Sequence, residues 1–118
     1  MGTFTVLLQV GASSGGQFVD VEALVDTGAS HTMLPGGLLR GLGIEVIESV
    51  SFKLADERVV EYDVGEARIR LDGRERTTLI VFGPDDAAPL LGATSLELFN
   101  LGVDPLGQIL IPVTGLLK

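Results

Sequence analysis

Residues 23–35 read ALVDTGASHTMLP. Three apolar residues run into an aspartate, a threonine and a glycine, and the apolar pattern resumes at Met33. Upstream, Val19, Val21, Ala23 and Val25 fall on one face of an extended chain, with Asp20 and Glu22 on the other. This is the period of two expected of a half-buried strand, so the spacing predicts a strand over residues 17–25 with Asp26 at its end. A carboxylate at the end of a buried strand is costly unless something compensates it. With 8 Asp, 8 Thr and 16 Gly in 118 positions, random order gives an Asp-Thr-Gly triplet about seven times in a hundred. The apolar flank lowers that to below about one in a hundred.

Working outward, residues 3–10 read as a first strand and GASSGG (11–16) as a flexible turn. Leu38, Leu39 and Leu42 have helical spacing, but Gly36, Gly37 and Gly41 limit it to one short turn of helix within 35–42. Residues 45–54 and 58–71 read as paired strands around ADER (55–58). In the second of these, Val60, Tyr62 and Val64 are in phase with each other and out of phase with Ala67, Ile69 and Leu71. A bulge or sharp bend is therefore expected at Gly65. Asp72-Gly73 reads as a two-residue hairpin turn into a strand over 75–82. GPDDAAP (83–89) is a loop and LLG (90–92) a short buried segment. Thr94–Leu101 suits a helix with Leu98 and Leu101 inward, stopped by Gly102, and residues 108–113 form a last strand. The expected class is all-β with one short helix in the C-terminal half, residues 1–118 making a single domain.

Composition excludes several functions. At 46% hydrophobic residues and a mean hydropathy of +0.44, the chain has the apolar content to bury a core. A net charge of −8 and a pI near 4.4 have the wrong sign for gripping phosphate backbones, so no nucleic-acid partner is expected. Cys is absent, which removes disulfides, thiolate metal sites and a thiol nucleophile. The opening Met-Gly lacks the Ser or Thr at position 6 that a myristoylation signal needs, since Val6 stands there. The N-terminus has no secretory pattern and no apolar run reaches the length of a membrane span, so a soluble cytoplasmic protein without a membrane partner is expected.

In its order of elements, ALVDTGASHTMLP, then LADERVVEYDVGEARI, then PLLGATSLELFNLGVDP, the sequence resembles the retropepsin-like aspartic proteases, in their small single-domain microbial branch. The resemblance spans roughly residues 4–113. It implies the acid protease barrel and peptide hydrolysis by two aspartates sharing one proton, one activating water and the other hydrogen-bonding the scissile carbonyl. Asp26 would be the catalytic carboxylate. Thr27, Gly28 and Ala29 would form its loop, Thr27 locking that loop against a symmetry mate and Gly28 donating its N–H to the carboxylate. Leu90, Leu91 and Gly92 would pack behind it. The hairpin at Leu54, Ala55 and Asp56 would be the flap that closes over a peptide bound as an added strand.

Only one such motif is present. Asp63-Val64-Gly65 lacks the central hydroxyl and lies inside the predicted hairpin, so a homodimer is implied, with one Asp26 from each subunit acting on a peptide or protein substrate and neither cofactor nor metal required. TVLLQV and QILIPVTGLL are unusually apolar for terminal segments, as burial between subunits would explain. Pro112, which cannot donate to a ladder, departs from an interleaved sheet of termini. A rival reading keeps the fold without catalysis, as a dimerisation or extended-peptide-binding module. On it, Asp26 is an Asx-turn residue capping a strand and LADERV a polar hairpin tip. His31, alone and without Cys, reads as a surface or subsite side chain rather than a catalytic or metal-binding one. Asp85-Asp86 reads as solvated, GLG (41–43) is too short for a phosphate loop, and Tyr62 belongs to the flap stem.

Overall fold

Alternation of the kind that ends at Val25 produces most of this chain's strands. The computed structural model describes residues 4–104, 106–115 and 117. In chain order these residues form β1 (Thr5–Ala12), β2 (Val19–Val25), β3 (Thr32–Pro35), α1 (Gly36–Gly41), β4 (Val46–Lys53), β5 (Val59–Leu71), β6 (Arg74–Gly83), β7 (Leu90–Leu91), α2 (Ala93–Leu98), β8 (Leu101–Asp104) and β9 (Ile109–Pro112). The Met1-Gly2 pair, the expected strand start at Thr3, Pro105, Leu116 and Lys118 lie outside the described residues.

Seven strands hydrogen-bond in the order β1-β2-β7-β3-β6-β5-β4, and β1 also pairs with β5 through Gln9–Ala12. β1, β2, β7, β3, β6 and β5 therefore close a circuit, with β4 attached to β5 outside it. Leu8, Val10, Ala23, Leu34, Ile69, Ile80 and Leu91 are buried in one core, each of the larger aliphatic side chains stabilising by about 1.5–3 kcal/mol. β8 and β9 make a separate antiparallel pair. Their inner side chains Leu101, Val103 and Leu110 join the same core.

β5 explains the change of phase at Gly65. Val59–Gly65 pairs with β4, whereas Ala67–Arg70 pairs with β1, so the strand changes neighbour and its buried side changes with it. Val64 and Gly65 are both buried at the crossover. A Cβ on Gly65 would stand 2.4 Å from the Glu45 carbonyl oxygen, which is why the position is glycine. The irregularity itself sits on the facing strand, where the register slips between Val46 and Glu48. At Asp72-Gly73 both residues have positive φ (54° and 74°), the requirement of a type I′ hairpin turn.

β1, β3, α2 and β8 differ from expectation. β1 continues through Gly11 and Ala12, because those residues find partners on β5. β3 occupies part of the stretch read as loop; its four residues are too few to show a period, and β6 and β7 supply its partners. The short helical turn expected within 35–42 is α1, beside the helix of the C-terminal half. α2 stops at Leu98, with Asn100 in the left-handed region (φ 54°), a common helix end. Leu96 and Phe99 face the core, while Leu98 is exposed and Leu101 begins β8. The two leucine and phenylalanine sets share a spacing of three, so periodicity alone could not choose between them.

Candidate active site

Asp26 follows the last residue of β2 and is half-exposed. Its backbone N–H donates to the Leu91 carbonyl of β7 at 3.0 Å, and the preceding Val25 N–H donates to Phe4 at 2.8 Å. The carboxylate Oδ1 accepts the Gly28 N–H at 3.0 Å, and the Ala29 N–H donates to the Asp26 carbonyl at 3.1 Å. This is an Asx-turn, and it leaves Oδ2 without a hydrogen bond among the described residues. A Cβ on Gly28 would press within 3.2 Å of Oδ1, so glycine permits the approach. Thr27 is exposed beside it.

The segment around LLG braces this loop from behind. Leu90 and Leu91 pair in parallel with Leu24 and Val25. The first residues of α2 then hold the far side, Ala93 N–H donating to the Ala29 carbonyl at 2.8 Å and Thr94 N–H to the Ser30 carbonyl at 2.9 Å. Gly92 lies between these contacts. A Cβ there would meet the His31 carbonyl oxygen at 2.4 Å, a separation real atoms do not tolerate. Leu90, Leu91 and Gly92 thus lie against the back of the loop.

Sequence reasoning missed the polar support beneath. Thr32, Thr78 and Ser95 are buried, with Ser95 Oγ 2.6 Å from Thr32 Oγ1 and 2.8 Å from Thr78 Oγ1. Thr32 Oγ1 also accepts the Gly92 N–H at 3.1 Å, and Thr78 donates to the Leu79 carbonyl at 3.3 Å. One consistent direction of donation satisfies every hydroxyl. The network ties β3, β6 and α2 together directly under the Asp26 loop, and buried hydroxyls so satisfied rigidify what they join. Three isolated Ser and Thr residues, 63 positions apart at the extremes, leave no local signal.

A cavity of about 230 Å³ lies beside the loop, walled by Gly28, Ala29, Ser30 and His31 on one side and by Phe52, Lys53, Leu54 and Tyr62 of the β4–β5 hairpin on the other, with Met33, Val81 and Leu90 completing it. His31 meets Phe52 edge-on, ring centroids 5.1 Å apart, and its Nδ1 lies 2.8 Å from Ser30 Oγ. Phe52 and Tyr62 stand 6.3 Å apart on the same hairpin. Leu54 thus lines the cavity. Ala55 and Asp56 are at the exposed tip, where Asp56 accepts from the Arg58 backbone N–H and Nε instead. Met33, Phe52 and Val81 were not singled out from sequence; the in-phase pairs Phe52/Val60 and Val50/Tyr62 of the hairpin were the available signal. A larger cavity, about 500 Å³, lies away from the loop, lined in part by Asp20, Arg70, Asp72, Arg74 and Glu75. It is open and charged and holds none of the expected site residues. Among the described residues, no group of three or more His, Cys, Asp or Glu gathers to hold a metal.

A family model described as aspartyl protease matches residues 10–95, from β1 to the middle of α2. Among solved structures, the EIAV protease complexed with the inhibitor HBY-793 is 18% identical, covering 83% of this chain and 88% of that one with a TM-score of 0.57. The simian foamy virus (mac) protease is 19% identical over 80% of this chain and 94% of its own, with a TM-score of 0.54. A Legionella pneumophila protein of unknown function, Lpg0085, is 18% identical over 92% and 93%, with a TM-score of 0.56. At such identities these likenesses establish the fold. No curated protein matches the sequence.

Proposed function

The chain belongs to the retropepsin-like aspartyl protease family, and on that premise we propose that it is a homodimeric aspartic endopeptidase with one Asp26 from each copy. The observation that carries the reading is the state of Asp26: half-exposed on a braced loop, one oxygen held by Gly28 and the other uncommitted. A second carboxylate brought to the free oxygen would share one proton with it, because two like charges that close cannot both ionise. The ionised member takes a proton from water, whose oxygen attacks the scissile carbonyl carbon. The protonated member hydrogen-bonds the carbonyl oxygen. Collapse of the tetrahedral intermediate passes a proton to the leaving nitrogen, giving a carboxylic acid and an amine. Thr27, exposed next to Asp26, would meet its symmetry mate, and Ala29 would continue the loop wall.

The apolar cavity between the loop and the β4–β5 hairpin supports an extended peptide substrate with apolar side chains near the cleaved bond. Leu54, Ala55 and Asp56 would ride on the closing hairpin and exclude water. The test is cleavage of an unstructured protein from acidic to neutral pH. Asp26→Asn, nearly identical in volume, should fold normally and lose at least about a thousandfold in kcat/KM, and a statine-type inhibitor should block the parent. Cleavage indifferent to both would refute the mechanism. Peptide binding without turnover, undiminished in Asp26→Ala, would instead establish the non-catalytic reading.

A further inference from the structure

The chain has 16 acidic residues, and none of them lines the cavity between the Asp26 loop and the β4–β5 hairpin. Met33, Leu54, Val81 and Leu90 give that cavity apolar walls. The polar side chains that reach it are Ser30, His31, Lys53 and Tyr62, each able to donate a hydrogen bond. At about 230 Å³ it is smaller than the roughly 300 Å³ at which pockets begin to hold whole small-molecule ligands. That size suits one side chain of a bound peptide.

His31 is held at two points. Its Nδ1 lies 2.8 Å from Ser30 Oγ, and its ring meets Phe52 edge-on with centroids 5.1 Å apart. When the Ser30 hydroxyl donates to Nδ1, Nε2 carries the proton of the neutral ring. When the ring is charged, Nδ1–H donates to Ser30 Oγ and Nε2 still carries a proton. Both arrangements leave one N–H of a fixed ring to spare. Lys53 stands 3.8 Å from Glu57, the two side chains 64% and 82% exposed, a surface pair too weak to keep the ammonium from a better partner. Asp56, at the hairpin tip, is taken up by Arg58 at 2.7 Å.

We propose that this cavity selects a substrate side chain ending in a carboxylate, glutamate above all, and that His31 is the residue that reads it. The selection rests on the peptidase reading above. Asp26 does not line the cavity, so the residue read is a neighbour of the scissile pair, whose own side chains stay apolar. The methylenes of glutamate match the apolar walls. Its carboxylate accepts from His31 and Lys53, in charge-assisted bonds about twice as strong as those between neutral groups. Glutamine has the same shape but offers a neutral carbonyl, and its amide N–H groups meet donors where they need acceptors. A lysine side chain would meet like charge. The net charge of −8 opposes an acidic peptide at long range, but that field is screened within about 8 Å at physiological ionic strength. Contact inside the cavity therefore decides.

Synthetic peptides with a fixed Leu-Leu bond, and with Glu, Gln or Lys placed at successive positions on either side of it, test this at about 0.15 M salt. At one of those positions the parent should cleave the Glu peptide with a kcat/KM at least about tenfold above that of the Gln peptide, the Lys peptide being slowest. His31→Phe keeps a ring against Phe52 and removes the donor, so the Glu-to-Gln ratio should fall close to one. A merely structural role would lower both peptides together and leave the ratio standing. His31→Gln, which keeps a neutral donor, should give an intermediate ratio, and circular dichroism shows which variant is folded and carries the test. A parent that cleaves Glu and Gln peptides alike at every position, or a ratio that survives in His31→Phe, overturns the inference and leaves the peptidase reading intact. If no peptide is cleaved, fluorescence anisotropy of the labelled Glu and Gln peptides decides. Binding of the Glu peptide at least about fivefold tighter, lost in His31→Phe, upholds the carboxylate site and overturns the peptidase reading, whereas equal binding overturns both.

Discussion

Asp26 is held by its neighbours more than by its own side chain. One backbone bond to Leu91, one side-chain bond from Gly28 and the contacts of Ala93 and Thr94 fix the loop, so a displacement behind it is felt at the carboxylate. Gly92 is the most constrained of these residues, since an added Cβ would meet backbone atoms of His31 at 2.4 and 2.5 Å and of Ala29 at 3.0 Å. Backbone cannot rotate aside as a side chain can. Gly92→Ala is therefore expected to destabilise by about 2–3 kcal/mol, lowering the Tm by about 10 °C in a scanning calorimeter, with activity falling further than stability alone requires. This glycine was legible in the sequence as part of LLG. The three buried hydroxyls under it were not, because their value comes from meeting one another across elements.

At the scale of elements, the β5–β6 hairpin carries the clearest electrostatic device. Glu75 accepts from Arg68 Nε and Nη2 at 2.9 and 2.7 Å and from Arg70 Nε at 2.8 Å, across register pairs that place Arg70 opposite Glu75. The Arg70 hydrogen bond first and the Arg68 hydrogen bond second hold the Glu75 carboxyl below the ordinary glutamate value. A lowered folded-state value means that the contribution is fully present above the unfolded value and is lost as pH falls through the folded one. The stability advantage of the parent over Glu75→Gln should accordingly be constant at neutral pH and shrink from about pH 4.5 downward, measured as the difference in urea midpoint at each pH. A constant difference at every pH would contradict it. The hairpin turn at Asp72-Gly73 and the stem of the β4–β5 hairpin were readable from local chemistry. The ends of α2 were not, since two hydrophobic sets with the same spacing competed and only packing against β6 and β8 decided between them.

For the whole molecule, the closed circuit of strands explains how a chain this acidic and glycine-rich holds a rigid site. Every element that touches the Asp26 loop is itself paired on another side. If the active unit is two copies, specific activity per chain should fall on dilution, approaching proportionality to concentration below the dimer dissociation constant. It should recover on reconcentration, as read by initial rates of peptide cleavage against protein concentration. Specific activity that stays flat through a concentration range where sedimentation shows monomers would exclude the shared site.

The sequence by itself determined the class of structure, the strand that leads to Asp26 and the hairpin turn, because these depend on period and turn chemistry; the bracing of DTG by LLG was an implication of the family resemblance. Only the tertiary structure decided which neighbour β5 serves on either side of Gly65, which face of α2 is buried, and that Thr32, Thr78 and Ser95 meet. It also decided that Phe52 closes on His31. Each of these depends on residues far apart in the chain, and a linear pattern carries no information about which distant partner a group will find.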